Sequence, residues 1–155
     1  MNLNPTPEQA KFADELQSWL RSNLPWEYGK APPPLPDLNE RVEAGRRWQH
    51  ALAGERYVAV AWPEEYGGRG LGPVEHFIVQ QELARAGAPE LVGRLGLNLV
   101  GPTLLAHGTP AQKARWLASI LDASGLWCQL FSEPEAGSDL ASLRTAARRV
   151  EGGWV

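Results

Sequence analysis

Helix starts are spelled out in this chain more plainly than anything else, and they force it to begin as a series of short helices. Thr6-Pro7-Glu8-Gln9 and Thr109-Pro110-Ala111-Gln112 each carry a capping hydroxyl and a proline suited to the first helical position. In both, a glutamine three residues past the cap closes a capping box. Asp37-Leu38-Asn39-Glu40 is another capping signature, and Pro73 opens a further helix. The apolar spacing predicts a first helix with Phe12, Leu16, Trp19 and Leu20 on one face, ended by Pro25. Residues 29–36, rich in proline, read as an extended linker. A second helix runs to about Ala53 with Val42, Trp48 and Leu52 inward, and Gly54 is expected to stop it. Tyr57 to Trp62 fits a strand or a buried loop. The third helix passes through Phe77, Ile78 and Leu83 to about Ala86. A fourth starts near Glu90 with Leu91, Leu95 and Leu99 spaced by four; Pro102 should kink or break it, and Gly108 should end it. The fifth carries Trp116, Leu117, Ile120 and Leu121.

The pattern changes after Gly125. Leu126 to Ser132 alternates and reads as a strand, Glu133 to Ser142 as a loop, and Arg144 to Val150 as a second strand. Gly152-Gly153 is a hairpin-type turn signal, with Trp154-Val155 opening a third extended segment. A fragment of two or three strands is marginal unless covered. The expected organisation is therefore a helical domain over 1–124 and the truncated start of a β domain over 125–155.

Composition removes several function classes. The chain has 155 residues, 43% hydrophobic and 21% charged, as a soluble globule does. A formal charge of -3 argues against a binder of nucleic-acid backbones. One cysteine makes neither an internal disulfide nor a zinc site alone. No apolar run approaches the roughly 18 residues a membrane span needs, and Met1 to Pro5 shows no secretory signal. A cytoplasmic location is expected.

The glycine cluster at 67–72 lacks the third glycine of a dinucleotide-binding G-x-G-x-x-G, and Glu64 and Glu65 sit just upstream. It reads instead as a tight connection with several positive-φ positions. His50, His76 and His107 have no partner at metal-ligand spacing, and Cys128 fits a small buried hydrophobe. The seven tryptophans read as core and interface filling, with Trp127 and Phe131 on one face of the strand. That strand leads into the most distinctive loop, Ser132-Glu133-Pro134-Glu135-Ala136-Gly137-Ser138-Asp139. Its hydroxyls, its glycine and its successive N–H groups suit a polar, anionic ligand. Glu133 and Asp139 would oppose an anion unless they point away as backbone caps.

Several segments together resemble the acyl-CoA dehydrogenases. They are Trp62-Pro63-Glu64-Glu65-Tyr66-Gly67-Gly68-Arg69-Gly70, then Val100 to Thr109 with Gln112-Lys113 and Trp116-Leu117. The third is Phe131 to Leu140, similar to the family's flavin loop, continued by Arg144-Thr145-Ala146 and Gly152 to Val155. The resemblance implies a mostly α fold: an N-terminal helical domain followed by the first strands of a β-barrel-like middle domain, with a C-terminal helical bundle in the whole protein. It implies FAD as cofactor and α,β-dehydrogenation of an acyl-CoA thioester. It also implies an electron-transfer flavoprotein as acceptor and a homo-oligomeric full-length form.

By the motif match, Gln129, Leu130, Phe131, Ser132, Glu133, Pro134, Glu135, Ala136, Gly137 and Ser138 line the flavin. Phe131 and Ser132 lie near the isoalloxazine, and Ser138 near the pyrophosphate and the acyl-CoA. Ser132 stands where many members have threonine. Glu135 stands where many have glycine, which adds a charge to the loop. The helix with Leu91, Leu95 and Leu99 resembles the one bordering the acyl cavity, where Gly93, Gly96 and Gly101 would leave room for a bulky tail. No residue matches the family's catalytic carboxylate, which belongs to the C-terminal bundle. The expected function is the N-terminal part of such an enzyme, inactive alone. Two alternatives stay open: a partial subunit completing a flavin site with a partner chain, and a helical interaction module without flavin.

Overall fold

The computed structural model describes residues 5–30, 33–34 and 37–155. Met1 to Asn4, where no secretory signal was expected, lie outside the described residues, as do four residues of the proline-rich linker. Five α-helices come first: α1 (Pro7–Asn23), α2 (Leu38–Gly54), α3 (Pro73–Ala86), α4 (Gly101–His107) and α5 (Pro110–Leu121). A two-stranded antiparallel ribbon, β1 (Arg149–Val150) and β2 (Gly153–Trp154), closes the chain. The mostly helical N-terminal fold and the start of a β region are as the sequence predicts.

The capping boxes form as spelled. Thr6 Oγ1 accepts from the Gln9 N–H at 3.2 Å while Gln9 Oε1 accepts from the Thr6 N–H at 3.0 Å. Thr109 and Gln112 repeat the arrangement. Asp37 accepts from the N–H groups of Asn39 and Glu40. Gln9 does more than cap: its Nε2 donates to Glu75 Oε1 at 3.0 Å, and Glu75 in turn accepts from the Gly72 N–H that begins α3. One glutamine thus ties the first turn of α1 to the first turn of α3. The hydrogen bond from Gln9, first among the causes, holds the Glu75 carboxyl below its usual range.

The core is built from Leu16 and Leu20 of α1, Leu52 of α2, Val79 of α3, and Leu117 and Ile120 of α5, all essentially sealed from solvent. Val60 lies at its centre, in the Tyr57–Trp62 segment. That segment is a chain of buried turns, not a strand. Its carbonyls are met by the glycine cluster: Val60 O accepts from Arg69 and Leu71, and Trp62 O from Gly70. The glycines are there for shape. Gly67 and Gly70 have φ of 86° and 63°, and a Cβ on Gly68 would sit 1.9 Å from the Trp62 carbonyl oxygen. Arg69 lies over the Tyr57 ring at 4.2 Å and donates to the Glu55 carbonyl at 2.7 Å.

Two details of the helices were not spelled by the sequence. α2 ends at Gly54, as expected, but Arg56 takes the left-handed position, φ 58°, of a Schellman closure in which Tyr57 N–H bonds Leu52 O and Arg56 N–H bonds Ala53 O. The Tyr57 ring beyond it packs on Phe12 and Trp19. Pro102 does not break its helix. The five residues Gly96–Val100 widen into a π turn, with the Gly101 N–H reaching back to Gly96 O. The Thr103 hydroxyl donates to Leu99 O at 2.7 Å, taking up a carbonyl in the disturbed turn.

The π turn re-aims the side chains. Leu97 and Gly96 are buried, whereas Leu95 and Leu99 are 40% and 48% exposed and Leu91 precedes the helix. The spacing of four therefore does not mark the inward face, because an extra residue per turn rotates it. Gly93, Gly96 and Gly101 leave no room for a ligand. A Cβ on each would strike Gln49, Trp127 with Ile120, or Trp62. They are packing glycines.

Gln49 was not flagged by the sequence, and it is fully buried. Its Nε2 donates to the Ile120 and Leu121 carbonyls at 3.0 Å, and its Oε1 accepts from the Gly93 N–H at 2.9 Å. Asp122 and Gly125 N–H groups meet the Ala118 and Ser119 carbonyls. All four terminal carbonyls of α5 are thereby satisfied, two of them by one side chain from α2.

Candidate functional site

Two regions carry the residues the sequence singled out, and they are built differently. The first is a cleft of about 1240 Å³ between α3 and the helix that contains the π turn. Val58, Ala59 and Trp62 form part of its lining, and Ala88, Pro89 and Leu91 of the α3-to-π connection contribute too. Leu91 lies in this cleft. Leu95, Leu99 and Ser138 do not line it. Polar side chains reach it at His76 and Gln80 of α3 and at Arg94 and Asn98 opposite, none of which sequence reasoning chose. Their only sequence signal is position, four residues apart on each wall.

The second region is the segment after Gly125. Leu126 to Ser132 is extended, but among the described residues its backbone makes no hydrogen bond, so it is not part of a sheet. Of Arg144 to Val150 only the last three residues pair: Arg149 and Val150 face Trp154 and Gly153, and Arg148 exchanges backbone hydrogen bonds of 2.7 and 3.0 Å with Val155; the turn of the ribbon is Glu151-Gly152. A strand exists only when another strand meets its N–H and C=O groups, and here one short ribbon supplies that. Trp127 anchors the segment, meeting Trp116 edge-on at 5.5 Å and lying over Gly96. Cys128 is exposed rather than buried, since no second layer covers this stretch.

The distinctive loop closes on itself. Glu133 and Ala136 exchange backbone hydrogen bonds of 2.8 and 3.2 Å around Pro134-Glu135, with Ala136 buried. The Glu133 carboxylate accepts from the Thr145 N–H at 2.7 Å and the Arg144 N–H at 2.9 Å. These bonds, Thr145 first, hold its carboxyl below the usual range. Glu133 is thus the backbone cap that the sequence allowed, with its charge engaged on the N–H groups of Arg144 and Thr145. Asp139 accepts through its backbone carbonyl, from the Ser142 hydroxyl. Glu135 is met by Arg144 at 3.0 Å on the surface, which neutralises the added charge while contributing little stability.

With Glu133 and Glu135 engaged, Ser132, Gly137 and Ser138 stand exposed, and so does Asp139 beside them, whose carboxylate has no partner among the described residues. Among the described residues no acceptor meets the N–H groups of Gly137 and Ser138. Leu130 and Phe131 beside them are 88% and 74% exposed. An exposed apolar surface thus lies next to hydroxyls and open N–H groups. Of the residues expected at the flavin, Gln129 to Ser138, Ala136 is buried and Glu133 half-buried, and the others are exposed.

The comparisons with known proteins bear on the whole chain. The family model described as "Acyl-CoA dehydrogenase, N-terminal domain" matches residues 6–124. The chain belongs to the acyl-CoA dehydrogenase family. It is 42% identical over 151 residues to acyl-CoA dehydrogenase IpdE1 of Mycobacterium tuberculosis, covering 94% of this chain and 38% of that one. Among solved structures it resembles the ChsE4-ChsE5 complex from Mycobacterium tuberculosis, with a TM-score of 0.70 and 35% identity, over 97% of this chain and 36% of that one. It also resembles the Tcur3481-Tcur3483 steroid ACAD, at a TM-score of 0.68 and 31% identity, covering 97% and 38%. The chain spans somewhat under two-fifths of the length of these relatives. No described helix is long and apolar enough to cross a membrane. Among the described residues no cluster of metal-ligating side chains occurs.

Proposed function

We propose that this chain is the N-terminal part of an FAD-dependent acyl-CoA dehydrogenase, with a helical domain to residue 124 and the opening of a middle β domain from 125. The observation that carries the reading is the self-closed loop 133–136, which occupies both of its acids and leaves Ser132, Gly137 and Ser138 facing outward. Leu130 and Phe131 would hold the apolar ring system of the cofactor, and the Ser138 hydroxyl with the Gly137 and Ser138 N–H groups would hold its phosphates. The Ser132 hydroxyl would offer a hydrogen bond to the ring. FAD, when bound, supplies the hydride acceptor for the β-hydrogen of the acyl thioester. Leu91 borders the acyl group in the cleft; Leu95 and Leu99, expected beside it, lie outside that cleft, and Ser138 would meet the CoA part of the substrate from the loop. No residue of these 155 acts as the base for the α-proton, so the chain alone is inactive. Electrons leave to an electron-transfer flavoprotein, and full-length subunits form a homo-oligomer.

The experiment is purification of the full-length parent chain and a visible spectrum before and after an acyl-CoA. A yellow protein bleached by substrate supports the reading; a colourless protein that takes up no added FAD refutes it. Ser138→Ala should weaken FAD retention without unfolding the helical domain.

One observation favours a second arrangement, in which the flavin site is completed by a partner chain. A structural neighbour at 35% identity is a complex of two named chains, ChsE4 and ChsE5. Co-purification of a second polypeptide with stoichiometric flavin would select this arrangement. The steroid named for another neighbour puts ring-bearing acyl groups among the substrates to assay.

A further inference from the structure

The segment that leaves α1 grips the last turn of α3 from outside the cleft. We propose that this strap, Trp26 to Gly29, positions the cleft wall that runs from Leu83 through Gly87 to Leu91, with Trp26 and Tyr28 as positioning residues for the acyl group. The proposal rests on the reading that this cleft holds the acyl group.

Pro25 holds Leu24 in an extended conformation, ψ 137°, which ends α1 and redirects the chain. The chain then turns at Glu27-Tyr28-Gly29-Lys30, where the Lys30 N–H bonds Glu27 O at 3.0 Å and Gly29 takes φ 81°. Three donors of the strap land on the end of α3. The Trp26 indole N–H donates to Gly87 O at 3.1 Å, the Gly29 N–H to Ala86 O at 3.0 Å, and the Tyr28 hydroxyl to Glu82 Oε2 at 3.4 Å. Glu82 is 1% exposed, and Arg85 meets its other oxygen at 2.7 Å. A buried carboxylate contributes little to stability by itself. Here it anchors the tyrosine of the strap. Arg21 lies over the Tyr28 ring at 4.2 Å and ties the strap back to α1.

Gly87 is the corner of the wall. Its φ of 67° turns the chain out of α3, with the Gly87 and Ala88 N–H groups bonded back to the Ala84 and Leu83 carbonyls. Leu83 and Ala84 line the cleft before the corner, and Ala88, Pro89 and Leu91 line it after. Residues 88–91 have no regular secondary structure of their own, so their place depends on where the corner is held. The corner's own carbonyl is held by Trp26, and the carbonyl before it by Gly29. A strap that lets go frees both halves of the wall to move.

The test uses the full-length parent chain with octanoyl-CoA and 3-cyclohexylpropanoyl-CoA. Trp26→Phe keeps an aromatic ring and removes the indole N–H. KM for an ester that is turned over should rise about fivefold, the size of one net hydrogen bond, while kcat and the flavin absorbance stay as in wild type. Tyr28→Phe removes a longer bond and should raise KM about twofold. Asp37→Ala is the control. It uncaps α2, which does not line the cleft, so it should lower the urea midpoint and leave KM alone. Hydrogen exchange at Ala88, Glu90 and Leu91 reads the wall without any substrate, and it should speed up in Trp26→Phe but not in Asp37→Ala. Where an ester is turned over, an unchanged KM in both strap variants, or an equal rise in Asp37→Ala, overturns this inference and leaves the dehydrogenase reading standing. Where neither ester is turned over and no flavin is taken up, faster exchange at the wall in Trp26→Phe alone supports the strap's role and overturns the dehydrogenase reading; unchanged exchange overturns both.

Discussion

Replacing Gln49 by methionine tests the packing logic of the whole helical domain. The swap keeps length and volume and removes every hydrogen-bonding group. Three partners then lose their only hydrogen bond in the described structure: the buried Gly93 N–H and the last two carbonyls of α5, Ile120 and Leu121. A net hydrogen bond is worth about 1 kcal/mol, and a buried donor left without an acceptor costs about 1–3 kcal/mol. Summed over the three, the loss comes to about 3–4 kcal/mol, near the top of the range for a single substitution. Equilibrium urea unfolding followed by tryptophan fluorescence reads it directly. With an m-value of about 2 kcal/mol/M, the midpoint should fall by about 1.5–2 M with m unchanged. Gln49→Glu provides the internal control. It keeps an acceptor for Gly93 but aims a buried carboxylate at two carbonyls, so it should destabilise at least as much as methionine. A Gln49→Met loss below about 1 kcal/mol, or a milder Gln49→Glu, would show that Gln49 does not terminate α5.

Four further outcomes come from particular contacts. Gly68→Ala places a Cβ against the Trp62 backbone, which has no rotamer to yield, and should cost about 3 kcal/mol or more in chemical unfolding. Gly54→Ala meets nothing within 4 Å in a helical position and should instead stabilise by about 0.5–1 kcal/mol. Glu75 has its folded pKa held below the unfolded value, so its contribution is present above the ordinary carboxylate range and is lost as pH falls through the folded value. The melting-temperature gap between wild type and Glu75→Gln should be full at pH 7 and shrink as the pH is taken below the ordinary carboxylate range; a constant gap refutes the assignment. Trp127→Ala removes the contact that docks the segment after Gly125 on Trp116 and Gly96, and limited proteolysis between residues 126 and 148 should accelerate several-fold while the helical domain stays resistant.

The self-closing loop shows how much of the candidate site was legible. Its residue types and order gave the flavin-loop resemblance and allowed Glu133 to be a backbone cap. Which backbone it caps was not legible, because Arg144 and Thr145 lie 11 and 12 residues further on. The cleft was less legible still. Gln80 and Asn98 are ordinary polar residues on helices, and only the approach of two walls makes them neighbours of one space.

By itself the sequence determined the events that are decided within a turn or two of chain. Thr6, Asp37 and Thr109 begin helices because a side chain meets N–H groups two or three residues away. Tertiary structure decided what depends on distant partners. Arg56 rather than a glycine took the left-handed position that closes α2; the disturbance expected at Pro102 took the form of a π turn; and Leu95 and Leu99 lost the inward face to Leu97. The glycines at 93, 96 and 101 are small because Gln49, Trp127, Ile120 and Trp62 press on them, each far away in the chain. Local hydrogen bonds are set by neighbours in sequence, whereas steric fit and the satisfaction of buried carbonyls are set by whatever the fold brings near.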